Sequence, residues 1–336
     1  MISLKPSDNQ RALVDAIDGF VRAEMPVERL RSATPASDFA FWRRLGEFGV
    51  FALTLAEEQG GVGCGIAEEL LVYHALGRKL VSPAAIASSM AARLALGAGQ
   101  ADLAKAFASG RTTVGFAIPA DPTSDVAAGV DARLIECADT DWAVLWGSTG
   151  ISLARCERFS GQHEAACIDG TIHLVRARFA GGEPPVGNEE PYRPTLLVAA
   201  MLCGAAEAAM EMNVEYMKVR EQFGQPLGAF QSVKHRCADM AKRNAAAWSQ
   251  TCFAALMLQA DAPDAAFQMR AAKILAAKAG VENAEAAIQN FGAIGFTAEH
   301  SIHHFLKRAH VLDMLGGSVG WQQRRFMGEP HPLAAA

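Results

Sequence analysis

The sequence predicts a mostly α protein of the α+β class. An N-terminal helical domain spans 1–111, a small middle β domain 112–190 and a C-terminal four-helix bundle 191–328. Three observations predict this. Apolar residues recur at three- and four-residue spacings on both sides of the chain's middle. The middle itself alternates short β-prone runs with Gly, Asp and Pro turns. At 336 residues the chain is long enough for several subdomains.

Composition narrows the class. With 51% hydrophobic and 20% charged residues the chain suits a packed globular protein and not a disordered one. A net charge of -5 gives no electrostatic footprint for nucleic acid. Cys64, Cys137, Cys156, Cys167, Cys203, Cys237 and Cys252 are scattered, odd in number and never in a C-x-x-C pair. They predict reduced thiols in a cytoplasmic setting, with neither a disulfide framework nor a zinc site. Met1 to Gln10 carries charges and no apolar centre, so no secretory signal is expected. Leu196 to Ala206, the longest apolar run, is too short to span a bilayer.

Helices are expected from about residue 8 to 110. Ala12, Leu13, Ala16, Ile17 and Phe20 mark the first, which Ser7 or Asp8 would cap; Phe41, Leu45 and Phe48 mark another. Thr113–Ile118, Ala143–Trp146, Ile151–Leu153 and Thr171–Val175 read as strands. Ala180 to Pro191 reads as a linker. Three long helices then follow: Leu196 to Gln222, about Phe230 to Ala260, and Ala265 to Asn290, the last rich in Ala and suited to close packing.

Between the first two of these lies EYMKVREQFGQPLGAFQSVKHRCADM, Glu215 to Met240. Gly224 is placed to end one helix, Pro226 cannot continue it, and Phe230, Val233, Cys237 and Met240 begin another. Arg-x-Gln-Phe-Gly, a Gly after a Pro, then Phe-Gln and Ala-Asp-Met resemble the acyl-CoA dehydrogenase family of flavoproteins. Two other stretches carry the same resemblance. Glu57, Glu58, Gly60, Gly61 and Gly63 match a glycine-rich turn, with Ala56 in place of its proline. Gln289, Gly292 and Gly295 match Gln-x-x-Gly-Gly-x-Gly, with Ala293 replacing one Gly.

The resemblance implies FAD as cofactor and an acyl-CoA thioester as substrate. It implies that Arg220, Gln222, Phe223 and Gln231 hold the diphosphate region of a neighbouring subunit's FAD, and that Gln289, Gly292 and Ala293 meet its adenine end. A guanidinium fork suits phosphate oxygens, although a cation at a helix end also answers the macrodipole. Residues that flank the flavin ring in the family are only echoed, by Pro119, Thr123, Ser124 and Asp125, and a lysine-bearing strand is missing. His300, His303, His304 and His310 have helical spacing but no acidic or Cys partner, so no metal site is expected.

Catalytic residues stay unassigned. The family draws the α-proton with a Glu. Laying Leu306–Ala309 on the family's Arg-Asp-Ala-like segment puts Gly316, Gly317 and Ser318 at that position. An alternative family position falls at about Pro194, beside Arg193 and Thr195. Asp313, His310 and Glu299 lie nearby as candidates. Two readings compete: an active homodimer or tetramer with an unconventional base, or the non-catalytic chain of a heterotetramer with a Glu-bearing homologue. A flavin-dependent monooxygenase on the same fold is the alternative from another reaction class. No nucleic-acid or membrane partner is expected.

Overall fold

A computed structural model describes residues 5–35, 37–148, 150–181 and 186–330. Part of the expected linker, 182–185, and part of the N-terminal segment, 1–4, lie outside them.

Among the described residues the first half supplies five α-helices: α1 (Asp8–Glu24), α2 (Trp42–Glu47), α3 (Ile66–Arg78), α4 (Ala84–Gly97) and α5 (Ala101–Ala108). Ser7 caps α1 in a reciprocal capping box with Gln10. Its buried face runs through Ile17 and Val21; Ala12 and Ala16, expected there, are exposed. Gly60 and Gly63 adopt positive φ in the turn before α3.

Seven strands follow: β1 (Val114–Pro119), β2 (Val130–Ile135), β3 (Trp142–Trp146), β4 (Ile151–Arg155), β5 (Phe159–Glu164), β6 (Leu174–Phe179) and β7 (Val186–Glu189). They form one sheet in the order β5-β6-β2-β1-β3-β4-β7, antiparallel except for β1 beside β3. The linker expected at 180–191 therefore contains an edge strand, β7. Helix α4, buried from Ala84 to Ala92, packs on β1, β3, β4 and β7. The other face closes over Ala117, Leu134, Leu145, Phe159 and Phe179.

Helices α6 (Tyr192–Val219), α7 (Gln231–Gln259), α8 (Ala265–Phe291), α9 (Ile302–Met314) and α10 (Val319–Phe326) complete the chain, with a two-residue ribbon, β8 (Glu221–Gln222) and β9 (Gln225–Pro226), after α6. Helix α6 begins earlier and ends earlier than the sequence suggests. It is apolar and long enough to cross a membrane, but 72% of its most apolar window is buried within the protein. Ala272, Ala276, Ala279 and Gly280 line the buried side of α8. A Cβ at Gly280 would come within 2.9 Å of Leu202, so small residues here set how closely α6 and α8 approach.

Contacts group the chain into two compact units. One contains residues 1–32, 70–81 and 195–336; the other contains 33–69 and 82–194. Helix α3 thus contributes its first turn to the sheet-bearing unit and its remainder to the helical one. In the helical unit Gly77 and Gly204 each sit where a Cβ would strike backbone, of Met201 and His74 respectively. That close packing largely encloses His74 beside Arg78, Glu207 and Trp248, and desolvation, helped by Arg78, pushes its pKa down to about 3.

Candidate functional site

The corner after α6 is built from backbone geometry that the sequence only half discloses. Gly224 does not end α6, which stops at Val219. Instead Phe223 (φ 56°) and Gly224 (φ 79°) form the two-residue turn of the β8–β9 ribbon. Positive φ at both centres is the mark of a type I′ hairpin turn. The ribbon is closed by Leu227 N–H donating to the Arg220 carbonyl at 2.8 Å, and Arg220 N–H donates to Tyr216 O at 2.9 Å. Phe230 then precedes α7 in extended conformation, and Gln231 opens the helix.

This geometry turns Arg220, Gln222, Phe223 and Gln231 outward. Phe223 is 90% exposed, its ring edge-on to Phe230 at 6.1 Å. Among the described residues no group takes the Arg220 guanidinium. A phenylalanine in a left-handed turn and open to water is unfavourable twice over.

The second turn lies at the same end of the helices. Helix α8 closes at Phe291, and Gly292 takes φ 68°. Gln289, Gly292 and Ala293 are exposed, while Gly295 is buried with Ile288 O 2.9 Å from where its Cβ would stand. Phe291 stacks on Tyr216 at 4.2 Å and 9°, and Arg236 of α7 donates to Asn290 Oδ1. Those contacts bring the two motifs, seventy residues apart in sequence, to one end of the helical unit. The donor set is a guanidinium, three side-chain amides and open glycine backbone, which matches the phosphates and polar edges of a dinucleotide.

The turn between α9 and α10 carries Gly316 and Gly317, which the resemblance lays at the position of the base. Gly316 and Gly317 have φ 69° and 93°. A Cβ at Gly317 would stand 2.3 Å from the Trp321 ring. Gln322 Nε2 donates to Gly316 O at 2.5 Å, and Arg270 holds Gln322 Oε1 at 3.0 Å. Buried Lys273 donates to the carbonyls of Leu312 and Asp313 at 3.3 and 3.0 Å and lies 3.7 Å from the Asp313 carboxylate. Asp313 Oδ1 accepts from Val319 N–H at 3.0 Å, capping α10. Asp313 is thus occupied in fixing a glycine turn.

Around the alternative position, Pro194 and Thr195 are buried. Arg193 pairs with Glu69, a carboxylate only 1% exposed, and Arg93 pairs with Glu189 at 3.3 Å. Burial pushes the Glu69 pKa up, opposed chiefly by Arg193. Sequence reasoning missed this pair; the signal was a Glu, in IAEELL, on the apolar stripe of α3. Thr123 spends its hydroxyl on Asp121 at 2.7 Å within its own loop. His300 packs on Phe291, and His303 and His304 lie ring to ring at 4.2 Å. Among the described residues no group of three or more His, Cys, Asp or Glu is placed to hold a metal ion.

Comparison with known proteins agrees with this architecture. Residues 7–110 match the acyl-CoA dehydrogenase N-terminal domain and residues 194–329 the acyl-CoA dehydrogenase C-terminal domain. The chain belongs to the acyl-CoA dehydrogenase family, whose members are flavoprotein oxidoreductases acting on CH–CH bonds. It is 32% identical to acyl-CoA dehydrogenase IpdE2 of Mycobacterium tuberculosis over 97% of this chain and 98% of that one. It is 30% identical to acyl-CoA dehydrogenase FadE34 of the same organism, matching 95% of this chain but 47% of FadE34. Two solved structures share the fold. Butyryl-CoA dehydrogenase of Megasphaera elsdenii has a TM-score of 0.81 at 18% identity, covering 97% of this chain and 99% of that one. The ChsE4–ChsE5 complex of M. tuberculosis has 0.81 at 21% identity, with complete coverage of both. The dehydrogenase names of these relatives do not favour the monooxygenase alternative.

Proposed function

We propose that this chain is the non-catalytic subunit of a two-chain acyl-CoA dehydrogenase, completing the FAD site of a partner that bears the Glu base. The observation that carries the reading is the glycine turn at 316–317, held by Lys273, Asp313, Gln322 and Arg270 where the family places its base. A turn with positive φ at two successive residues, and an indole packed against the second, is built to carry no side chain. The outward corner supports the other half. Arg220 would grip phosphate oxygens, Gln222, Gln231 and Gln289 would orient the nucleotide, and Gly292 would let it approach the backbone. When bound, FAD supplies the hydride acceptor for α,β-dehydrogenation of an acyl-CoA thioester.

The fold shared with the ChsE4–ChsE5 complex, an assembly of two different chains, supports a subunit of a mixed assembly. The test is Arg220→Ala in the assembly formed with a Glu-bearing homologue. Flavin retention should fall about tenfold or more, because a charge-assisted phosphate contact is lost. Unchanged retention with the assembly intact would overturn the role of Arg220.

A further inference from the structure

Two thiols in the sheet-bearing unit, distant in sequence, come together around Thr140. Cys137 follows β2 and Cys156 follows β4. On a flat sheet two strands would lie between those chain segments, so bringing them together needs a device. The connection between β2 and β3 provides it. Glu136 and Asp139 both take left-handed φ, 58° and 54°, in residues that normally avoid it. Backbone strain of this kind persists where surrounding structure enforces it. The enforcing contacts are present: Glu136 N–H donates to His173 O at 2.9 Å, and Glu136 Oε1 accepts from His173 N–H at 2.9 Å.

The strained connection lays Cys137 back across β1. Its Sγ donates to Phe116 O at 3.4 Å and to Ile135 O at 3.6 Å. Gly115 makes room for it, since a Cβ there would stand 2.6 Å from the sulfur. On the other side, Cys156 N–H donates to Asp141 O at 2.9 Å, which draws Cys156 to the far end of the same connection. Thr140 bridges them: its hydroxyl is 3.4 Å from Cys137 O and 3.6 Å from Cys156 Sγ. The two thiols are near enough for each to shift the other's ionisation.

We propose that Cys137 and Cys156 form a reversible thiol–disulfide couple, oxidised by hydrogen peroxide, in which Cys156 is the attacking thiol and Cys137 the resolving one. The Cys156 thiolate attacks one oxygen of the peroxide, the O–O bond breaks, and water leaves after protonation. The Cys156 sulfenic acid formed then meets the Cys137 sulfur; an S–S bond forms, the S–O bond breaks, and a second water leaves. Two thiols give up two protons and two electrons, and one peroxide becomes two waters.

Environment supports the direction of attack. The neighbouring Cys137 thiol pulls the Cys156 thiol below its ordinary range, with Thr140 helping and burial opposing. Cys137 moves the other way, raised by the neighbouring Cys156 and by desolvation. Burial pushes Cys203 and Cys252 up to about 12. They should stay inert. Cys156 is partly exposed, so a small oxidant can reach it.

The test maps the thiols of the full chain before and after brief exposure to hydrogen peroxide. Free thiols are blocked with iodoacetamide and peptides are read by mass spectrometry. The expected result is a Cys137–Cys156 cross-linked peptide that dithiothreitol reverses, with Cys203 and Cys252 still alkylated. Cys137→Ser should instead leave a sulfenic acid on Cys156 that dimedone traps, and Cys156→Ser should leave Cys137 unoxidised. The wild-type map decides the matter even if a variant folds poorly. Both cysteines alkylated after peroxide, or Cys156 over-oxidised in the wild type while Cys137 stays reduced, would overturn the proposal.

Discussion

Lys273 offers the most quantitative test of how the glycine turn is held. Its ammonium is fully buried on α8, facing the carbonyls of Leu312 and Asp313 and, at 3.7 Å, the Asp313 carboxylate. Arg270, one turn earlier on α8, is engaged with Gln322 and Glu329. Burial pushes the Lys273 pKa from 10.5 down to about 8, against the pull of Asp313. A base with a depressed folded pKa binds fewer protons in the folded than in the unfolded chain between those values. Stability therefore rises with pH through that window, and the cost is complete below it. The gap corresponds to about 3 kcal/mol opposing folding at neutral pH. Lys273→Met removes this titration, whatever else it does to packing. The difference in unfolding free energy, wild type minus variant, should accordingly grow by about 2 kcal/mol between pH 7 and about pH 9.5. Urea unfolding of both proteins at the two pH values measures it, and groups common to both cancel. A difference that stays constant, or shrinks, would refute an enclosed ammonium at the end of α9.

Two further substitutions probe the site's surroundings. Phe223→Asn keeps the left-handed turn with a residue that tolerates it, and should raise unfolding free energy by about 1 kcal/mol; a loss of stability would show that the exposed ring is supported by contacts within the chain. Arg193→Met strands the buried Glu69 carboxylate and should cost about 3 kcal/mol or more, with Glu69→Gln in the same chain recovering much of it. Because burial raises the Glu69 pKa, the stranded carboxyl takes a proton more readily in the folded state, so the Arg193→Met penalty should be smaller at pH 5 than at pH 8. Equal penalties would place Glu69 in contact with water.

The sequence disclosed the elements whose burial follows a period. The long C-terminal helices were legible because their apolar residues recur at helical spacing, and β1, β3 and β4 because they are β-prone runs; of β6 the expected run Thr171–Val175 covers only Leu174 and Val175. Three strands escaped. In β2, Asp131 and Arg133 interrupt the apolar signal, although the pleat turns both away from the core. Strand β5 is polar beyond Phe159, as an exposed edge allows, and β7 sits in a segment rich in Gly, Pro and Glu. At the candidate site the motif residues were visible but their geometry was not. Gly224 reads as a helix stop, and only the pairing of Gln222 with Gln225 reveals a hairpin turn that also commits Phe223. Asp313 reads as a spare carboxylate, whereas tertiary contact makes it a helix cap and a partner of Lys273. Such roles depend on residues brought together from distant segments, which spacing cannot show.

The central claim is that this chain completes a partner's flavin site and holds none securely alone. The most direct measurement is the FAD content of the purified chain, from its visible spectrum and flavin released per protein, alone and after co-expression with a Glu-bearing homologue. The account predicts a colourless protein alone and a yellow assembly with the partner. Stoichiometric FAD in the chain alone, with acyl-CoA dehydrogenation, would contradict it.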